Sequence, residues 1–407
     1  MFESYLCPIR ISGSLQIPVM MKTMSSRRKI ALFMLLGFLF FMSLFLIKVK
    51  DDMEDFEVNY KAGQRLLWGE TLYRFEDEHF MFKYFPCSAL IYVPLSYLPL
   101  AAAKSIWYSL VVFCSVSLFY FSHKLAAASK EMDGFLLALP PLILARYFFR
   151  EIELGQINAL VTLILVLVVW QMSSGGEKAS RKKEFFSGCL WGVATALKPY
   201  AFIFFPYFII KRKWRAVLSG FVFIVMALLV PSLYYGFAGN LQVLKEWYST
   251  LLQSTPRLLS TWDNISLIGF FAKWTGNQTF SFLAAGLVIG ILGLLVLILV
   301  LKGNNVPRAE VLDSSILLIC IPLISPLGWD YTLLMSVLGV TVIVYSIRNF
   351  SVFWRIILLL NFFIIAFSIY DIMGRELYGR FMTWSIPTLS FLLIIGYLAS
   401  LRIKKIR

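Results

Sequence analysis

The sequence predicts an all-α fold, a polytopic transmembrane helical bundle of about 12 spans, and three observations predict it. First, 59% of the 407 residues are hydrophobic and 15% are charged, with a mean hydropathy of +0.76, against roughly 45–50% and ~25% in soluble domains. Second, the apolar residues gather in repeated stretches that approach the ~20 residues needed for a bilayer-crossing helix. Third, Lys and Arg outnumber Asp and Glu 38 to 23, and the excess sits in short runs between apolar stretches, which is the positive-inside pattern. A soluble globular protein is excluded. The net charge of +15 reads as membrane topology rather than as nucleic-acid binding. Cys7, Cys87, Cys114, Cys189 and Cys320 are scattered without a Cys-x-x-Cys pair and only His79 and His123 accompany them, so neither a disulfide framework nor a structural zinc is expected.

Taken in order, residues 1–29 are expected to form a cytoplasmic N-terminal segment, in which Met20, Met21 and Met24 offer alternative starts. The basic run Ser25-Ser26-Arg27-Arg28-Lys29 precedes span 1, residues 30–47, which is too long for a secretory signal and lacks its small-residue cleavage site. The acidic run Asp51 to Glu57 opens a large outer loop, residues 50–103. Its section 86–100 carries Pro86, Pro94 and Pro99 and is expected to lie along the interface or re-enter. Spans 106–121, 134–149 and 156–170 return the chain to the inner basic loop Lys178, Arg181, Lys182 and Lys183. The next basic loop, Lys211 to Arg215, is also inside, so an even number of crossings must fit within residues 185–210, too few for two helices of ~20 residues. Two short helices broken at Lys198-Pro199 fit. A helix over 185–197 rises roughly 20 Å at ~1.5 Å per residue, leaving Lys198 in the outer half of the membrane, where a lysine needs a partner. The remaining spans are 216–234, 280–301, 314–324, 331–347, 352–370 and 381–401, and residues 402–407 form an inner basic tail. Residues 30–401 thus form a single transmembrane domain, with further outer loops at 150–155, 236–274, 326–329 and 371–380. Residues 265–271 fit a short re-entrant element.

The sequence carries no Walker-type loop, no Gly-x-Ser-x-Gly and no His-Glu-x-x-His. With two histidines, proton abstraction falls to a carboxylate. Asp55, in the acidic run just past span 1, is the candidate, against the alternative of a solvated loop acid. Glu57 would pair with it only as a weak metal-binding signal. The outer-side cations Arg146, Arg150, Lys198, Arg375 and Arg380 are suited to holding a lipid-borne phosphate, while Arg146 and Arg150 would equally serve as headgroup anchors. Gln156 and Asn158 at the opening of a span, and Asn264 in an outer loop, are suited to binding hydroxyls or to interhelical hydrogen bonding. Trp329-Asp330 stands at another outer helix start, where tryptophan anchors at the interface and aspartate caps.

The ordered set Asp55-Phe56-Glu57-Val58-Asn59-Tyr60-Lys61-Ala62-Gly63, Leu67-Trp68-Gly69-Glu70-Thr71-Leu72-Tyr73, Tyr84-Phe85-Pro86, Gly155-Gln156-Ile157-Asn158, Gly192 to Lys198-Pro199, Asn264-Ile265-Ser266-Leu267 and Ser325-Pro326-Leu327-Gly328-Trp329 resembles glycosyltransferase family 87, membrane enzymes of the C-type superfamily. The resemblance implies transfer of a hexose, mannose foremost, from a polyprenyl-phosphate donor to a lipid, glycan or protein acceptor. Transfer would invert the anomeric centre and take place on the outer face of a bacterial inner membrane, without cofactor, metal or nucleic acid. It puts Asp55 in the position of the catalytic base, the outer cations on the donor phosphate, and Tyr84, Gln156, Asn158, Asn264, Trp329 and Asp330 about the substrates. Many relatives carry histidine after the Trp-Asp pair where this chain has Tyr331-Thr332. The competing reading is a polytopic transporter or flippase, which predicts inverted internal repeats that the sequence lacks. A structural subunit, and a polymerase or ligase using a lipid-linked oligosaccharide, are further alternatives.

Overall fold

A computed structural model describes residues 37, 39–127, 134–173, 177–303 and 306–403. The expected N-terminal segment 1–29, the first part of span 1 and residues 404–407 of the tail lie outside the described residues. Regular structure among the described residues is helical, apart from one isolated bridge between Asn264 and Trp329.

The chain divides at Lys50 into two units. The described part of the first is α1 (Leu39–Val49). Its last turn widens to a π-helix, and Lys50 N bonds to Phe45 O at 3.0 Å. The second unit holds α2 (Glu54–Leu67), α3 (Leu100–Ala127), α4 (Gly134–Leu154), α5 (Asn158–Ser173), α6 (Glu177–Leu197), α7 (Phe204–Ile210), α8 (Trp214–Leu229), α9 (Ser232–Leu258), α10 (Leu267–Thr275), α11 (Gln278–Leu301), α12 (Ala309–Ile324), α13 (Val337–Ser346), α14 (Val352–Phe367), α15 (Tyr370–Thr383) and α16 (Ile386–Ile403).

Among the described residues four helical stretches are long and apolar enough to cross a membrane: Leu100–Ala127, Gln278–Leu301, Asp330–Asn349 and Ile386–Ile403. The number is six if each bent pair, α8 with α9 and α14 with α15, is one span. α5 and the stretch Pro199–Ile210 are apolar but shorter. The chain is a multi-pass membrane protein. Burial sorts its helices: α12 and α13 are enclosed along nearly their whole length, as helices apolar all round should be when central. α11 and α14 instead leave large residues such as Leu283, Leu287, Ile291, Phe353 and Leu360 exposed, the surface lipid would cover.

The break expected at Lys198-Pro199 is present. α6 ends at Leu197, Lys198 is extended (φ −141°, ψ 110°), and a short 3-10 turn over Pro199–Ile203 leads into α7. Proline disfavours helical geometry in the residue before it. α6 lies tightly against α8 because both faces are small: a Cβ on Gly188 would meet Ala216 O at 2.2 Å and one on Gly192 would meet Gly220 O at 2.7 Å, the small-xxx-small arrangement of membrane helices.

Two stretches read as outer loops are helical instead. α9 is bent 88° from α8 and α15 is bent 103° from α14. α9 is broken at Gly236 (φ +68°, ψ 171°); beyond the break Phe237, Leu241, Tyr248 and Leu252 are exposed, and their spacing makes one apolar stripe on the side away from the buried Val243 and Thr250. An amphipathic helix bent away from its neighbour in this way is suited to lying along a membrane interface. The long loop also folds on a core of its own, in which α2 residues Ala62 and Leu66 pack with Leu72, Tyr73, Phe82, Ala89 and Val243.

Candidate active site

The site grows from the turn between α4 and α5. Gly155 (φ +66°) ends α4 in a Schellman arrangement, with Gln156 N bonded to Glu151 O at 3.0 Å and Gly155 N to Ile152 O at 3.2 Å, the left-handed position that glycine occupies without strain. Trp107 Nε1 donates to Gly155 O at 2.7 Å. The start of α2 rests on this turn: Met53 N bonds to Glu153 O at 2.9 Å, and Phe56 stacks on Trp107 at 5.7 Å. Asp55, between Met53 and Phe56 in the first turn of α2, is thereby brought against Gln156.

Gln156 is the hub. Its Nε2 donates to Asp55 Oδ2 at 2.7 Å and to Tyr331 OH at 3.1 Å, and its Oε1 accepts from Tyr84 OH at 2.9 Å. Asp55 is half-buried. Beside Gln156, Asn158 Oδ1 accepts from Lys198 Nζ at 2.7 Å and Tyr200 OH at 2.9 Å, while Asn158 Nδ2 donates to Glu151 Oε2 at 2.8 Å. The Lys198 ammonium lies 4.6 Å from the centre of the Tyr84 ring, a cation–π contact. Burial holds the Tyr84 phenol far above its usual range, so it serves as a donor. Lys83, the preceding residue, is lowered by burial, against which the Asp55 charge raises it.

A second cluster adjoins the first through Asp330, the neighbour of Tyr331. Arg146 Nη2 donates to Asp330 Oδ2 at 2.7 Å and Tyr378 OH at 2.8 Å, and Nη1 to Ser368 Oγ at 3.0 Å and to Ser368 O. An apolar groove of about 770 Å³ runs along α4 between α13 and α14, lined among others by Leu139, Ile143, Leu359 and Phe363, and one end reaches Phe367 and Ile369 on either side of Ser368.

The expected site residues fall into four groups. Asp55, Tyr84, Gln156, Asn158 and Lys198 share one hydrogen-bonded network, and Arg146 with Asp330 forms the adjoining one. Asn264 turns its side chain to backbone, donating to Leu259 O and Pro326 O and accepting from Ser266 N and Gly328 N. With the bridge to Trp329 it fastens the 326–329 turn on which Asp330 stands. Arg150, Arg375 and Arg380 are exposed: Arg150 pairs with Glu153 at 3.0 Å and Arg380 with Glu376 at 2.6 Å. Glu57 pairs with Lys104 at 2.7 Å. Sequence reasoning missed Glu151, Tyr200 and Lys83 and gave Tyr331 no role of its own. The signal for Glu151 was its helical phase, since it follows Leu144, Tyr147 and Phe148 on the buried stripe of α4.

The sequence model of glycosyltransferase family 87 matches residues 82–326, more than half of the chain. The chain belongs to glycosyltransferase family 87. The family match contains Tyr84, Arg146, Arg150, Gln156, Asn158, Lys198 and Asn264, whereas Asp55, Trp329, Asp330, Arg375 and Arg380 lie outside it. The family 87 chain is also similar to an alpha-(1->3)-arabinofuranosyltransferase of Corynebacterium glutamicum, 25% identical over 289 residues, which cover 68% of this chain. The match spans 64% of that relative's length. No solved structure matches.

Proposed function

We propose that this family 87 protein transfers a hexose, mannose foremost, from a polyprenyl-phosphate donor to a lipid, glycan or protein acceptor on the external face of the cell membrane, with inversion. The observation that carries the reading is the single network joining a half-buried carboxylate, Asp55, to an enclosed ammonium, Lys198, through Gln156 and Asn158. Asp55 Oδ1 has no hydrogen-bond partner among the described residues and is the atom to receive the acceptor's proton. The acceptor oxygen then attacks the anomeric carbon from the face opposite the phosphate, the bond to the phosphate oxygen breaks, and polyprenyl phosphate leaves with the electron pair. Lys198 meets the charge that develops on the leaving phosphate, an enclosed position in which such stabilisation is largest. The apolar groove below Ser368 is suited to a prenyl chain. The external side is supported by the basic loops Lys178 to Lys183 and Lys211 to Arg215, which the positive-inside rule puts on the cytoplasmic side.

The relative's name favours a second reading of the sugar, a pentofuranose such as arabinofuranose. Both are tested together by sugar transfer in lipid with a panel of polyprenyl-phosphate hexoses and pentofuranoses and membrane-extract acceptors, for the wild type and Asp55→Asn. Transfer that is lost in a normally folded Asp55→Asn variant supports the base, and the active donor names the sugar. Equal transfer by both proteins removes Asp55 from the mechanism.

A further inference from the structure

Glu151 is a carboxylate that the proposed mechanism leaves unused, and its residue is 0% exposed. It sits in the last turn of α4, yet its partners belong to the start of α5: Oε2 accepts from Asn158 Nδ2 and Oε1 from Ala159 N, both at 2.8 Å. The second bond satisfies one of the N–H groups that open α5, where a negative charge is also favoured by the helix dipole. The first does something further. A carboxylate only accepts and an ammonium only donates, whereas an amide has one end of each kind. With Glu151 on one side, Asn158 must turn its Nδ2 toward the acid and therefore its Oδ1 toward Lys198 and Tyr200, as is found. The reversed amide would set oxygen against oxygen at Glu151 and N–H against ammonium at Lys198.

We propose that Glu151 is a positioning residue for the phosphate-holding lysine: acting through Asn158, it fixes the Lys198 ammonium and balances its buried charge without touching it. This inference rests on the reading of Lys198 as the group that meets the donor phosphate. A direct Glu–Lys ion pair would engage the ammonium's donors on the protein. The interposed amide takes one of three and leaves the others, beside the Tyr84 and Tyr200 rings, for a phosphate oxygen.

The test uses the full chain in nanodiscs and undecaprenyl phosphate as the probe, with binding measured for wild type, Lys198→Met, Glu151→Gln and the double variant, and the melting temperature taken for each. The expected result is binding weakened about ten- to a hundredfold by Lys198→Met, by a comparable factor in Glu151→Gln, and by no more than about twofold further in the double variant, because both act through one ammonium. Wild-type binding by Glu151→Gln overturns the inference, and so do single-variant factors that multiply, which would mark Glu151 as a helix cap alone. Unchanged binding by Lys198→Met overturns the phosphate reading itself and is recognised as such by that variant alone. Should Glu151→Gln not fold, Glu151→Gln/Asn158→Asp replaces it. There the introduced amide accepts from Ala159 N and donates to the introduced carboxylate, and the charge moves one residue toward Lys198. The carboxylate then pairs directly with Lys198, so binding weakened about tenfold or more supports the inference, which requires the interposed neutral amide, and binding within about threefold of wild type overturns it.

Discussion

Replacing Gly155 by alanine strikes the joint on which the site is assembled, and the structure sets the size of the effect. Gly155 has φ +66°, and a Cβ there would lie 2.7 Å from Phe56 Cβ and 2.9 Å from Met53 Cε. The left-handed backbone alone costs about 1–2 kcal/mol with a side chain. Carbon contacts settle at about 3.5–4.0 Å, so the first turn of α2 must retreat by about 1 Å. Phe56 cannot simply swing aside, because it is enclosed between Tyr92 and Trp107. Overpacking of this kind adds about 1–3 kcal/mol, for a total loss of about 2–5 kcal/mol. Asp55 lies between the two displaced residues, so its 2.7 Å bond from Gln156 stretches beyond hydrogen-bonding range, and a misplacement of about 1 Å at a reacting group can reduce the rate about a hundredfold. Gly276 is the matched control: it is also left-handed, φ +64°, but a Cβ there meets nothing within 4 Å. Thermal melts and sugar-transfer rates should therefore separate the two. Gly276→Ala should lose about 1–2 kcal/mol with normal transfer, and Gly155→Ala should lose more stability and about a hundredfold in transfer. Transfer by Gly155→Ala within about threefold of Gly276→Ala, measured where both are folded, would refute the argument that this turn positions Asp55.

Arg146→Lys should destabilise the protein by about 2–4 kcal/mol in a thermal melt, because an ammonium cannot reproduce the fork that joins Asp330, Tyr378 and Ser368; an unchanged melt would deny Arg146 that organising role. On the opposite side, Arg402 and Asp313 are fully enclosed and joined at 2.7 Å. Arg402→Met should cost about 3–5 kcal/mol, and Arg402→Met/Asp313→Leu should recover most of it; equal losses in the two proteins would contradict this. In the segment that follows α2, hydrogen bonding from Arg65 holds the Asp77 carboxyl below its usual range. Its folded value lies beneath its unfolded one, so the pair's contribution of about 1–3 kcal/mol is whole above about pH 4 and fades as pH falls through the folded value. Protease cleavage of the 68–80 segment should rise on acidification in the wild type, and be already high and pH-independent in Asp77→Asn.

How much of this was legible depended on whether a residue's task followed from chain path or from orientation. The break at Lys198-Pro199 followed from path alone, since two inner basic loops and the span length between them admit nothing longer. Asp55 and Gln156 could be named as a carboxylate and an amide at the outer surface, but not as partners, because their meeting depends on the Schellman turn at Gly155 and on the seating of Phe56 against Trp107. Asn264 shows the converse. A polar residue in a loop reads equally as a hydroxyl binder or as a structural hydrogen-bonding group; its four hydrogen bonds go to backbone, and nothing in the sequence says which way such a side chain turns. Arg375 and Arg380 stood beside Lys198 among the expected outer cations, although only Lys198 lay at a broken helix; α15 leaves both arginines exposed. The segments 236–274 and 371–380 read as loops because their polar residues break the long apolar pattern, which is how an interfacial helix differs from a spanning one.

The five expected phosphate cations can also be ranked by what their hydrogen bonds leave free. Arg146 is held by Asp330, Tyr378 and Ser368 at once, so releasing it toward a ligand would abandon a buried aspartate, a change of the kind that costs several kcal/mol. Arg150 and Arg380 are half or more exposed and paired with neighbours on their own helices, where water screens whatever charge they offer. Arg375 is exposed as well. Lys198 alone of the five is enclosed and held by a neutral amide. An enclosed cation keeps its electrostatic strength because water does not compete for it, and a neutral direct partner leaves its remaining donors for a ligand. On the proposed reading, the donor phosphate is the group that completes it, while Arg146 shapes the ground on which Asp330 and Tyr331 stand.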